Sequence, residues 1–133
     1  MSISELKFLL TDDSKVIRNM LKAALTEMGA KNIKEASSGE EALEALRHDM
    51  YDVVILDVMM TGMTGLQTLE KIRTTQWPNR NVHVFMVTGE AKKEYIQQAA
   101  KLGVKGYVVK PFTLEDISKR IGTTLEKLYP AKT

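Results

Sequence analysis

The chain has 133 residues, 44% apolar and 27% charged, the length and balance of one globular domain with a buried core. A formal net charge of +2, with acids and bases mixed along the chain, gives little steering toward nucleic acid, and no Lys/Arg run suggests it. The absence of cysteine excludes disulfides, thiol catalysis and zinc–thiolate sites. The first seven residues lack a signal-peptide core, and apolar runs such as Val53-Val54-Ile55-Leu56 fall far short of a membrane span, so a cytoplasmic location is the default expectation.

In chain order, Leu6-Lys7-Phe8-Leu9-Leu10 predicts a short strand ending at Thr11-Asp12-Asp13. Val16, Ile17, Met20, Leu21, Ala24, Leu25 and Met28 then recur at helical spacing, and Gly29 closes that helix. Residues 32–36 predict a second strand. Ser38-Gly39-Glu40-Glu41 opens a helix with Ala42, Leu43, Ala45 and Leu46 on its inner side. Val53-Val54-Ile55-Leu56 reads as a strand buried on both faces. Leu66, Leu69 and Ile72 predict a third helix, 82–87 a fourth strand, 91–102 a fourth helix and 106–109 a fifth strand. Ile117, Ile121, Leu125 and Leu128 close the chain with an amphipathic helix. Strands alternating with helices predict an α/β domain with a parallel sheet and helices on both faces, spanning 1–133 with no break for a second, effector domain.

Open α/β sheets build their sites beyond the carboxyl ends of the strands. Those ends carry Asp12 and Asp13, Asp57, Thr88, and Lys110-Pro111. Taken singly, each has a plain structural role: Asp12-Asp13 can cap the helix starting near Ser14, Thr88 can be packing, and Lys-Pro is a turn. Taken together on one sheet edge they predict a site. Three clustered carboxylates repel and call for a cation, and oxygen ligands without His or Cys favour Mg²⁺ before Ca²⁺. Cation, ammonium and hydroxyl together stabilise a transferring phosphoryl group, for which a carboxylate can be the nucleophile. No Walker loop is present to supply the phosphoryl group from a bound nucleotide. His48 and His83 lie off this edge, and the methionines read as core filler.

The segments Leu10-Thr11-Asp12-Asp13-Ser14, Ile55-Leu56-Asp57-Val58-Met59-Met60, Met86-Val87-Thr88-Gly89-Glu90-Ala91 and Lys110-Pro111-Phe112 resemble the receiver domain of two-component response regulators. The stretches Ala91-Lys92-Lys93-Glu94 and Gly106-Tyr107-Val108-Val109 bring the likeness nearest to the chemotaxis members of that family. The resemblance implies a flavodoxin-like (βα)5 domain with strand order 2-1-3-4-5. It implies Asp57 as phosphoacceptor, Asp13, Asp57 and the backbone oxygen of Met59 as Mg²⁺ ligands, and Asp12 acting through water. Lys110 would pair with the acyl phosphate, before a cis bond to Pro111. Thr88 and Tyr107 would form the switch.

The implied partners are a histidine kinase of the chemotaxis type and a target on the face of the fourth helix, fifth strand and fifth helix, namely the flagellar motor switch. A phosphatase is a further expected partner, and the expected state is a monomer. The alternatives are a phosphate shuttle or sink, a phosphohydrolase acting on external esters, and a pseudo-receiver, against which the intact acid, hydroxyl and amine set argues. This chain departs from the family at Thr61, where proline is common, and at Thr64, where an acid is common. Neither change is expected to touch the chemistry, but a more mobile loop is expected. Met59 stands where chemotaxis members carry an amide, and with Glu90 it is expected to tune loss of the phosphoryl group.

Overall fold

A computed structural model describes residues 2–89 and 91–130. Five strands form one parallel sheet in the order β2-β1-β3-β4-β5: β1 Lys7–Thr11, β2 Asn32–Ala36, β3 Val53–Leu56, β4 His83–Thr88 and β5 Gly106–Val109. The expected order and the flavodoxin-like fold are therefore the ones adopted. Strand four is shifted one residue from its expected bounds, which places Thr88 inside the strand rather than after it.

The apolar pattern explains the layers. Along the central strands successive side chains point to opposite faces. Phe8, Leu10, Val53, Ile55, Phe85 and Val87 face one core, while Leu9, Val54, Leu56, Val84 and Met86 face the other. Helix α1, Lys15–Glu27, covers the first core with Leu21, Ala24 and Leu25. Helices α2 (Gly39–His48), α3 (Gly65–Thr74) and α4 (Lys93–Lys101) cover the second. The closing helix, α5, runs over 114–128 and returns to the first core through Ile117, Ile121 and Leu125. It is not uniform: α-helical Leu114–Ile117 passes through a π-helical turn, Ser118–Gly122, before α-helical Thr123–Leu128.

Burying both faces of β1, β3 and β4 fixes their register, because a one-residue slip would exchange the two apolar sets. That register aligns the carboxyl ends of these strands on one edge. Among the described residues no helix is long and apolar enough to cross a membrane.

Candidate functional site

Each polar residue of the edge sits where its strand runs out. Asp12 follows β1 and is 1% exposed; its amide donates to the Ala36 carbonyl at 3.2 Å, so the chain is still sheet-bound there. Asp57 follows β3 and is 5% exposed, with its amide on the Thr11 carbonyl at 3.0 Å. Thr88 ends β4 fully buried, and its carbonyl accepts from the Lys110 amide at 2.7 Å. Lys110 follows β5, and its bond to Pro111 is cis. Phe112 is buried in the first core just beyond, anchoring the segment.

The ammonium of Lys110 bridges the two buried acids, donating to Asp12 Oδ2 at 2.9 Å and Asp57 Oδ2 at 3.2 Å. Burial pushes the Asp57 carboxyl above its ordinary value, and the Asp12 charge adds to this; Lys110 and the Thr88 hydroxyl, which hydrogen-bonds the Asp57 carboxylate, pull the other way. Burial also works against the charge on Lys110, but its bond to Asp12 and the charges of both acids outweigh it and hold the ammonium above the usual lysine value. The Met59 amide donates to Asp57 Oδ1 at 3.3 Å, and the Met59 side chain is exposed.

Asp13 is exposed, yet Asp12, Asp13 and Asp57 each offer a carboxylate oxygen within 4.8 Å of the others'. Three acids against one lysine leave excess negative charge in a poorly hydrated place. An all-oxygen donor set with spare lone pairs and no soft ligand suits a hard divalent cation, so the residues present fit Mg²⁺. The expected cap falls instead to Ser14, whose hydroxyl accepts from the Ile17 amide, while Asp12 Oδ1 accepts from the Ser14 amide at 2.9 Å just ahead of the helix. The Ser14 amide and the Lys110 ammonium use different oxygens of Asp12.

In the β3–α3 loop Thr61 reaches one of the clustered acids: its amide and hydroxyl donate to Asp13 Oδ2 at 3.1 and 3.3 Å. Thr64 caps α3 in a reciprocal box with Gln67. Glu40 accepts from the Met63 amide at 3.3 Å, and the Gly65 amide donates to the Val58 carbonyl at 2.7 Å. The amides of Thr61, Met63, Thr64 and Gly65 are all hydrogen-bonded. Gly62 takes a φ of +82°, open to glycine at little cost. At Gly65 a Cβ would lie 1.9 Å from the Asp57 carbonyl oxygen, so α3 starts directly against the backbone of Asp57.

Tyr107 is half-buried against the second core, beside Met86 in the sheet register. On the same side of the molecule, Ile96 of α4 and Val109 of β5 are about 40% exposed (39% and 40%). Glu90 lies outside the described residues. Sequence reading missed Arg18, which donates to the Asp12 carbonyl at 2.6 Å and to Glu35 Oε1 at 3.0 Å, tying the acidic turn to β2. Its position in the first turn of α1, after the acid pair, was the available signal.

Residues 8–122 match the family described as response regulator receiver domain. The chain is 37% identical over 123 residues to the chemotaxis protein CheY-3 of Vibrio cholerae, covering 92% of this chain and 94% of that one. The solved structure of the V. cholerae chemotaxis response regulator CheY4 is similar at a TM-score of 0.80 and 33% identity, over 90% of this chain and 98% of that one. A CheY from Borrelia burgdorferi, solved in complex with CheX, BeF3 and Mg²⁺, is similar at a TM-score of 0.81 and 26% identity, over 90% and 89% of the two chains.

Proposed function

Because this chain belongs to the response regulator receiver family, and is similar to CheY chemotaxis proteins over most of its length, we propose that it is a switch operated by phosphorylation of Asp57. The observation that carries this reading is the Lys110 ammonium held between two buried acids, with the Thr88 hydroxyl on the same Asp57 carboxylate.

Asp57 is the nucleophile. Burial and the Asp12 charge make its carboxylate more basic than a solvated one, while Lys110 pulls the other way, toward the charged form. One of its oxygens attacks phosphorus on the phosphohistidine of a histidine kinase. The P–N bond breaks, and the imidazole leaves with the electron pair. Lys110 is placed to meet the phosphoryl oxygens, and the Thr88 hydroxyl to donate to one of them. Mg²⁺, held by Asp13, Asp57 and the Met59 carbonyl, with Asp12 through water, would neutralise charge on the transferring group. Gly65 admits α3 so close that the Asp57 backbone has little room to shift during transfer. The chemistry is self-phosphorylation and self-dephosphorylation, not turnover of an external substrate.

Phosphorylation adds about −1.5 to −2 charge and three strong acceptors. Thr88, drawn toward them, leaves room under β4, and Tyr107 on the neighbouring strand turns into it. The output face is α4, β5 and α5, where exposed Ile96 and Val109 offer apolar contact to a target such as the flagellar motor switch. A phosphatase partner ends the signal.

Adding beryllofluoride, a phosphoryl mimic, with Mg²⁺ should shift the resonances of Tyr107, Ile96 and Val109, and should leave them unmoved in Asp57→Asn. Shifts confined to the neighbours of Asp57 would contradict the switch.

A further inference from the structure

The three clustered acids are held in three ways. Asp12 is fixed by Lys110 and by the Ser14 amide, and Asp57 by Lys110, Thr88 and the Met59 amide. Asp13 is exposed and, among the described residues, has no ion pair. Among the described residues, both hydrogen bonds to its side chain come from Thr61, 48 positions away, and both fall on Oδ2. With that oxygen occupied, the carboxylate still places an oxygen within 4.8 Å of ligand atoms from Asp12 and Asp57. Proline, which the family resemblance makes the common residue at this position, has neither an amide hydrogen nor a hydroxyl.

We propose that Thr61 is a positioning residue for Asp13: its paired donors hold the exposed acid in the cation-binding arrangement and so raise the affinity of this chain for Mg²⁺. The proposal rests on the reading of Asp12, Asp13 and Asp57 as the cation site. The physical reason is preorganisation. A solvated Asp samples several rotamers, and a cation must select one; a side chain already held there loses less freedom on binding. Two competing effects oppose the proposal. Hydrogen bonds also draw electron density from the carboxylate, which would weaken it as a ligand, and a threonine in the loop could act only by stiffening it.

Calorimetric titration of the metal-free protein with Mg²⁺ separates these. Thr61→Val keeps the shape and the amide but loses the hydroxyl, and the dissociation constant should rise about threefold, the size expected of one modest hydrogen bond. Thr61→Ser restores the hydroxyl and should bind as the wild type does. Thr64→Val removes the α3 cap at the other end of the loop without touching Asp13 and should also bind as the wild type. Melting in chelator checks that each variant is folded, and Thr61→Ala, which also lacks the hydroxyl, serves if the valine does not fold. Unchanged or tighter binding by Thr61→Val overturns the proposal, as does equal weakening by Thr64→Val. A wild type that binds no Mg²⁺, or an Asp13→Ala that binds as well, overturns the cation site itself and the proposal with it.

Discussion

The two ends of the sheet handle buried polarity in opposite ways. At the amino ends of the strands, Asn79 is 2% exposed and fully used: its Nδ2 donates to the carbonyls of Leu46 and Asp49, each at 2.7 Å, and its Oδ1 accepts from the Tyr51 amide at 3.0 Å. Arg73 there spends its guanidinium on the carbonyls of Leu102, Arg80 and Val82. Those contacts close helix ends and loops, and every donor meets a neutral acceptor. At the carboxyl ends, two buried acids share one ammonium with a third acid close by. One end is arranged for stability. The other holds like charges together at a cost in stability, the arrangement found at sites that bind or react.

The sharpest way to break this contrast is to remove one residue from each end. Asn79→Ala should cost about 2–4 kcal/mol, through three lost hydrogen bonds and the buried groups left unpaired, and lower Tm by on the order of 10 °C. Asp57→Asn should act in reverse in chelator at neutral pH. The folded state holds the Asp57 proton more tightly than the unfolded chain does. Its favourable contribution is therefore present below the ordinary carboxylate pKa and lost as pH rises through the folded-state value. The ionised carboxylate is then a net cost at neutral pH, and a neutral amide should raise Tm by a few degrees, about 1 kcal/mol. The gain should shrink as pH falls into the carboxylate range. Thermal melts of both variants across pH decide this; a Tm lowered by Asp57→Asn would mean the acids are as well paired as the groups at the other end.

A smaller effect concerns how long the charged end keeps its phosphoryl group. Met59 flanks Asp57, is 47% exposed and offers only a thioether. Met59→Asn supplies an amide able to orient water and should speed autodephosphorylation about 3- to 10-fold, or ~0.7–1.4 kcal/mol of barrier. Measured decay of the phosphorylated form that is unchanged or slower would remove Met59 from the account.

Much of this was legible in the sequence because it depends on short-range periodicity. Short apolar runs marked β1, β3 and β4, and the place where each run stopped put Asp12, Asp57 and Lys110 on one edge. Thr88 was called one residue beyond a strand that in fact includes it, since a polar residue in a buried strand breaks the apolar pattern without ending the backbone ladder. What could not be read was who bonds whom across long separations. Thr61 and Asp13 are 48 residues apart, and Asn79 and Leu46 are 33 apart. Their pairing follows from helix placement and loop path, which composition does not encode. At Thr61 the departure from proline reads in the sequence only as a more mobile loop, and the amide and hydroxyl it adds meet Asp13 only in the fold. The π turn at Ser118–Gly122 was equally hidden, because Ile117, Ile121 and Leu125 keep helical spacing through it.

The central claim is that Asp57 takes up the phosphoryl group. Incubation with Mg²⁺ and acetyl phosphate, followed by intact-mass measurement, tests it directly. Wild-type protein should gain one acid-stable, base-labile phosphoryl group, and Asp57→Asn should gain none. No gain by the wild type, or the same gain by Asp57→Asn, would contradict the account.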